Sequence, residues 1–236
     1  MLIELILFAG FSGITVFLGG LLSNYFEHHI PETPVKPIIS HTIMAFGGGI
    51  ILSAVALVLV PEGMKELTLL PLCLSFIGGS IAFSFLDRFL AKKGGQVGTL
   101  LAMMMDFIPE SIALGAIFGA NTSTATLLAI FIGLQNLPEA FNSFRDMVIS
   151  GFSVKSTLVI FFFISFFGIA AALLGKFFLS DSPLITAHLM IFASGGILYL
   201  IFQDVVPEVK MKNSYFISLG GTAGFLVGII GQMVLG

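Results

Sequence analysis

The chain has 236 residues, of which 57% are apolar and only 10% are charged, with a formal net charge of −3. Soluble domains are nearer 45–50% apolar and about 25% charged. The composition therefore excludes a cytosolic enzyme, a nucleic-acid-binding protein with a basic face, and a disordered chain. The single cysteine, Cys73, excludes an intrachain disulfide framework and a thiolate zinc cluster. What remains is a polytopic membrane protein, which we expect to be all-α and not to be an enzyme.

Long apolar runs separated by polar, Gly or Pro clusters predict eight transmembrane helices, because roughly 20 apolar residues span a bilayer. In chain order these segments cover about 3–25, 38–60, 69–91, 97–120, 125–147, 155–179, 185–206 and 214–235. We expect them to form a single transmembrane domain over residues 1–236, without a folded extramembrane part. Helices are expected because only helices and closed barrels satisfy the backbone in lipid, and these runs are too long and apolar for barrel strands.

The basic residues are divided unevenly between the two sides of the predicted membrane. Of the ten Lys and Arg residues, eight lie in or beside the loops that follow segments 1, 3, 5 and 7. Loops rich in Lys and Arg stay on the cytoplasmic side. We therefore expect a multi-pass protein of the cell (inner) membrane with both termini outside.

Segments 4 and 5 each contain a polar residue followed four positions later by the glutamate of a Pro-Glu pair. The two stretches are Asp106-Phe107-Ile108-Pro109-Glu110 and Gln135-Asn136-Leu137-Pro138-Glu139. Residues four apart share a helix face, and both stretches lie about 20 Å from the intervening loop, near mid-bilayer. Each proline also frees the carbonyl four residues before it, at Met105 and Leu134. An antiparallel hairpin would bring the two polar faces level, in the geometry of a binding site at the membrane midplane.

Three acids at this depth need compensation. A charged carboxylate at the centre of a membrane helix costs about 2.5–3.5 kcal/mol, so three together would cost about 8–10 kcal/mol. No Lys or Arg lies in the middle of any predicted span, which leaves protons or a bound cation to neutralise the acids. We therefore predict a metal site that binds protons when empty, formed by Asp106, Glu110, Gln135, Asn136 and Glu139.

Segments 2 and 7 also end in Pro-Glu, each after a Gly cluster and an apolar run. Each is the second of three segments flanking the central pair, which favours a 3+2+3 arrangement with inverted repeats. We predict an ion pathway that passes Glu62 at the outer end and Asp204 and Glu208 at the inner end, with Met103 and Ser111 beside the motifs. The alternative, ordinary interfacial acids and a methionine that fills space, stays open.

These motifs resemble the ZIP (Zrt/Irt-like protein) family of divalent metal-ion transporters. In that family segment 4 typically reads His-Asn-x-Pro-Glu-Gly, and here Asp106, Phe107 and Ser111 stand at the His, Asn and Gly positions. Segment 5 of the family reads His or Gln, then Asn or Asp, then x-Pro-Glu, which the second stretch fits throughout. The resemblance implies a divergent member that transports a divalent ion such as zinc, manganese, iron or cadmium and needs no prosthetic group.

The departures from the family pattern bear on the number and kind of ions. The family often binds two adjacent ions bridged by the motif glutamates, but Phe107 cannot ligate and segment 6 contains no acid. Without an imidazole the ligand set is dominated by oxygen. Such a set favours harder ions, Mn²⁺ or Fe²⁺, over Zn²⁺.

Two other functions remain as alternatives. One is a degenerate homologue that binds or senses a metal without transporting it, and the other is a proton-coupled carrier of an organic cation. The expected partners are the divalent ion and the lipid bilayer, with no nucleic acid. The sequence leaves open whether two copies of the chain form a homodimer.

Overall fold

The computed structural model describes residues 1–93, 96–209 and 215–235, and at 91, 93, 96–100 and 102 it describes the backbone alone. Within these residues the chain is helical and contains no strand. The helices are α1 (Leu2–His29), α2 (Val35–Met64), α3 (Leu69–Lys93), α4 (Gln96–Ile117), α5 (Thr122–Ile149), α6 (Val154–Phe178), α7 (Pro183–Glu208) and α8 (Tyr215–Leu235).

Among the described residues, six helices are long and apolar enough to cross a membrane, namely α1, α2, α3 as far as Leu90, α6, α7 and α8. The two helices outside that set, α4 and α5, carry the Pro-Glu motifs in their interior. The protein is therefore an all-α, multi-pass membrane protein. The two remaining long helices among the described residues are the ones on which the sequence predicts a binding site.

α2, α6 and α7 are each interrupted along their length. α2 contains a π-helical turn at Val55–Leu59 and α7 contains one at Ile201–Val205, in both cases just before the Pro-Glu pair. α6 breaks at 165–166. A proline has no N–H for the helical ladder, and the rare π turns found inside α-helices often occur at functional sites. The last turns of α2 and α7, which hold Glu62 and Glu208, are thereby set off from the rest of their helices.

The helices pack in pairs, and glycines make the close approach. α1 lies against α5, α2 against α8, α3 against α7 and α4 against α6. A Cβ at Gly79 would overlap the Phe192 carbonyl of the partner helix, and a Cβ at Gly175 would overlap that of Ile112. Small residues at such crossings allow the backbones to come close enough for van der Waals packing in lipid.

The helices that carry the motifs are the most enclosed part of the bundle. The largest cluster of buried side chains surrounds them, and its fully buried members include Phe107, Leu114, Leu127, Phe131 and Met147. α3 and α8 lie at the periphery, with only 11% and 22% of their most apolar windows buried. The fold therefore places the polar residues of α4 and α5 away from lipid.

The α2–α8 crossing gives a matched pair of substitutions on one helix. A Cβ at Gly224 would overlap the Phe46 carbonyl oxygen, whereas a Cβ at Gly221 would lie 3.5 Å from the Ala45 carbonyl oxygen, an ordinary contact. Overpacking costs about 1–3 kcal/mol, so we expect Gly224→Ala to lower the apparent melting temperature by about 3–10 °C. Gly221→Ala should leave it unchanged or raise it, since alanine is the better helix former. Thermal unfolding in detergent checks both, and equal melting temperatures would contradict the close crossing.

Candidate metal site

Asp106 of α4 and Glu139 of α5 meet across the interface between their helices. Their carboxyl groups share a hydrogen bond. Asp106 is only 4% exposed, and its Oδ1 also accepts a hydrogen bond of 2.8 Å from the Phe107 N–H. A carboxylate can only accept, so this contact is a hydrogen bond only when one of the two groups is protonated. The motifs of the two helices are therefore level with each other.

Glu110 and Gln135 form the second contact between the motifs. Gln135 Nε2 donates to Glu110 Oε2, and both side chains are fully buried. Glu110 is also close enough to Asp106 and Glu139 for the charges of all three acids to interact. Three further oxygens are buried without a hydrogen-bond partner: Glu110 Oε1, Gln135 Oε1 and Glu139 Oε2. Burying such atoms is costly, and each is free to coordinate a cation.

In this conformation the four side chains stand as two hydrogen-bonded pairs, Asp106–Glu139 and Glu110–Gln135. Among the described residues, no three His, Cys, Asp or Glu side chains are grouped closely enough to hold a metal ion. Binding a divalent ion here would require both pairs to open and turn their oxygens toward one point.

The two motif prolines lie inside their helices and loosen the backbone beside the acids. Pro109 and Pro138 deprive the carbonyls of Met105 and Leu134 of their helical N–H partners. Against this part of α5 lies the Gly cluster of α2, where a Cβ at Gly47 would come within 2.6 Å of Pro138 Cγ. The glycine is needed because α2 passes directly over the proline.

A cavity of about 440 Å³ leads from the motifs toward one end of the bundle. Its described lining includes six acids and no Lys or Arg, the acids being Asp87, Asp106, Glu139, Asp146, Asp204 and Glu208. A cleft lined by charges of one sign focuses the electric field and raises the local concentration of the opposite ion. The cavity is therefore suited to attract and pass cations.

The position of the acids along their helices shows where the cavity opens. Asp87, Asp146 and Glu208 lie near the C-terminal ends of α3, α5 and α7, and Glu208 is exposed. These ends share the side of the bundle that carries most of the described Lys and Arg residues. That is the side predicted to face the cytoplasm.

The predicted ligands divide into two groups. Asp106, Gln135 and Glu139 line the cavity, and Glu110 joins them through Gln135. Asn136 is turned away from the cavity, and its Nδ2 donates to the Ser12 carbonyl of α1 at 2.9 Å. The structure therefore brings four of the five predicted ligands together and directs the amide nitrogen of the fifth to another helix.

Three of the predicted pathway residues line the cavity: Met103, Asp204 and Glu208. Ser111 is fully buried, and its Oγ has no hydrogen-bond partner, but it does not line the cavity. Glu62 lies at the other end of the bundle, where Lys65 Nζ is 2.5 Å and Thr124 Oγ1 is 3.5 Å from its Oε1. Glu62 is therefore engaged in a local ion pair, apart from the cavity.

Four polar residues of the cavity were not identified from the sequence, namely Asp87, Asn142, Ser143 and Asp146. On α5 a polar stripe runs at intervals of four, three and four residues through Gln135, Glu139, Asn142 and Asp146. This spacing continues the motif face by two turns and could have identified Asn142 and Asp146. Asp87 has no comparable signal, because its place depends on how α3 packs.

The comparisons with known proteins give one partial similarity. No family model matches the chain. Over 121 residues, or 50% of this chain, the sequence is 24% identical to the zinc transporter zipt-7.2 of Caenorhabditis elegans. The match covers 26% of that protein, so the chain spans about a quarter of the length of the curated relative it matches.

Proposed function

We propose that this protein transports a divalent metal ion across the membrane through a site formed by Asp106, Glu110, Gln135 and Glu139. The observation that carries the proposal is the pairing of Asp106 with Glu139 and of Glu110 with Gln135 between α4 and α5, at the end of a cavity lined by acids. Intramembrane acids of this kind mark ion pathways by default. The partial similarity to a zinc transporter supports the same conclusion.

Each of the four side chains has a distinct part in the proposal. Glu110 and Glu139 come from facing helices and share the ion, while Asp106 and Gln135 complete the shell with oxygens. Arrival of the ion replaces the proton held between Asp106 and Glu139, because coordination requires both carboxylates to be free of protons. Since all of these ligands are oxygens, Mn²⁺ or Fe²⁺ is the proposed cargo, with Zn²⁺ and Cd²⁺ as competitors.

The proposed direction is inward. The ion enters past Glu62 on the outer side, binds at the motifs and leaves past Asp204 and Glu208. The cavity supports the second half of this route, since it joins the motifs to both of these acids. At the outer end Glu62 is half-buried and paired with Lys65. We assign this arrangement to an inward-open state.

A relation between the two ends of the chain supports a 3+2+3 arrangement of eight spans with inverted repeats. In this relation α1, α2 and α3 correspond to α6, α7 and α8, and α4 corresponds to α5. The α1–α5 pair then corresponds to the α6–α4 pair, and the α2–α8 pair corresponds to the α7–α3 pair. The matched helices α2 and α7 also share a π turn before Pro-Glu. Matched halves of this kind allow alternating access. We propose that α4 and α5, with α1 and α6, rock against the other four helices.

Uptake into proteoliposomes tests the proposal. We expect protein-containing vesicles to accumulate Mn²⁺ faster than protein-free vesicles of the same lipid, with Zn²⁺ as a competing ion. Binding of Mn²⁺ in calorimetry without any flux would instead identify a protein that binds or senses the metal. Uptake of a quaternary ammonium ion without uptake of metal would identify a carrier of organic cations.

A further inference from the structure

Asn136 belongs to the motif of α5, but its amide is used elsewhere. Nδ2 donates to the carbonyl oxygen of Ser12 in α1 at 2.9 Å, and the side chain is 1% exposed and outside the cavity. A backbone carbonyl only accepts hydrogen bonds, so this contact fixes which way the amide is turned. The NH₂ group of Asn136 faces α1.

From this geometry, and resting on the proposed function, we infer that Asn136 is a positioning residue that clamps α5 to α1 and takes no part in the ion shell. The clamp sets the rotation of α5 that aims Gln135 and Glu139 at α4. The ligands from α5 consequently lie on one face of that helix, and the site holds one ion per chain.

Two neighbouring amides hold α5 at the same level from different sides. Consecutive helical residues point about 100° apart, and here Gln135 donates to Glu110 of α4 while Asn136 donates to Ser12 of α1. Two contacts at one level in different directions fix the rotation of a helix about its axis. They are needed at this point because Pro138 interrupts the helical hydrogen bonds one turn away.

The surface of α1 is shaped to receive the clamp. The Ser12 carbonyl accepts a second bond of 2.7 Å from Thr15 Oγ1, and Ser12 itself is fully buried. On either side of this point the two helices touch closely, where Gly19 lies against the Leu137 carbonyl and Gly133 lies against a Phe11 ring. An amide enclosed in such an interface has no water to bond, so the loss of its partner would leave a costly unpaired group.

The equivalent side of α4 is closed by apolar packing. Phe107, which follows Asp106, is fully buried, and a Cβ at Gly168 of α6 would lie 2.6 Å from its Cζ. The same Cβ would lie 3.5 Å from the Ala9 carbonyl of α1. Phe107, which follows Asp106, therefore packs α4 against α6. Asn136, which follows Gln135, bonds α5 to α1.

Thermal unfolding of the full chain in detergent, with and without Mn²⁺, tests this inference. We expect Asn136→Leu to lower the metal-free melting temperature by about 3–8 °C, because a buried polar contact is lost. The rise in melting temperature that Mn²⁺ produces should be retained in Asn136→Leu and largely lost in Gln135→Leu. In proteoliposomes, Asn136→Leu should lower the maximal rate of Mn²⁺ uptake several-fold and change KM by less than about twofold. Calorimetry should give one Mn²⁺ per chain.

Ser194→Ala is the matched control. Ser194 is fully buried, and its Oγ donates within α7 to the Met190 carbonyl at 2.7 Å, away from the cavity lining. If Asn136→Leu lowers the metal-free melting temperature no more than Ser194→Ala does, the clamp is overturned. The inference is also overturned if Mn²⁺ no longer raises the melting temperature of Asn136→Leu, or if calorimetry gives two Mn²⁺ ions per chain.

Two further steps separate a folding failure, and a failure of the proposed function, from a failure of this inference. If Asn136→Leu does not fold, Asn136→Ser is measured in the same way, because its hydroxyl is too short to reach the Ser12 carbonyl. If the wild-type protein shows neither a Mn²⁺ effect nor uptake, the proposed function fails. The metal-free comparison with Ser194→Ala still decides whether Asn136 clamps α5 to α1.

Discussion

Glu110→Gln and Glu139→Gln should each reduce Mn²⁺ uptake by proteoliposomes at least about tenfold. The amide keeps the size of the carboxyl group and much of its hydrogen bonding, but it removes the charge that holds the ion. Changing residues that merely support a metal ligand typically costs 10–100-fold in affinity or activity, so loss of a direct carboxylate ligand should cost at least as much. The effect is large because the ion is desolvated at a buried site, where charge–charge attraction is poorly screened.

The melting temperature and a variant of an exposed acid serve as controls for Glu110→Gln and Glu139→Gln. Because Gln resembles the protonated form of Glu, both should retain the metal-free melting temperature of the wild type, which separates loss of transport from loss of folding. Glu4→Gln removes an exposed acid from the first turn of α1 and should leave uptake unchanged. Uptake at the wild-type rate in both Glu110→Gln and Glu139→Gln would exclude these residues from the site.

The parts of the site that follow from local geometry could be predicted from the sequence. The i, i+4 spacing put Asp106 with Glu110 and Gln135 with Glu139, and the short connection between the helices made an antiparallel hairpin the natural arrangement. The structure accordingly brings these four side chains together. Composition predicted a membrane protein, because so few charged residues cannot cover a surface in water. The long apolar runs then predicted that its spans are helices.

The parts that depend on packing between distant segments could not be predicted. The helical period places Asn136 about 100° from Gln135, but it does not say which helix occupies that side. The answer is α1, whose Ser12 lies 124 positions away in the chain. Asp87 is a similar case, since it reaches the cavity only because α3 packs against α7. The π turns of α2 and α7 also had no signal beyond their Pro-Glu pairs.

The polar residues of the candidate site also explain why α5 is less apolar than the helices around it. A helix that carries ligands for an ion must be less apolar than a helix that faces lipid on all sides. α5 has the stripe of Gln135, Glu139, Asn142 and Asp146, and it is not among the six described helices that are apolar enough to span a membrane. The surrounding helices compensate by enclosing it, so that its polar face meets the cavity and its apolar residues are buried.

Asp106→His should shift the ion preference of the proposed site toward Zn²⁺. The proposed shell contains only oxygens, and an imidazole suits Zn²⁺ better than it suits Mn²⁺. The substitution also removes one negative charge and the hydrogen bond that Asp106 shares with Glu139, so the rate of Mn²⁺ uptake should fall. We expect the Zn²⁺ concentration that halves Mn²⁺ uptake to decrease on the order of tenfold.

Asp106→Asn separates the effect of charge from that of the imidazole. It removes the same charge without supplying a nitrogen ligand, so it should slow Mn²⁺ uptake and leave the Zn²⁺ concentration for half-inhibition near the wild-type value. A Zn²⁺ preference that rises in Asp106→His but not in Asp106→Asn would place this side chain in the ion shell. If both variants keep the wild-type preference, Asp106 acts only through its contact with Glu139, and the selectivity of the site must come from Glu110, Gln135 and Glu139 alone.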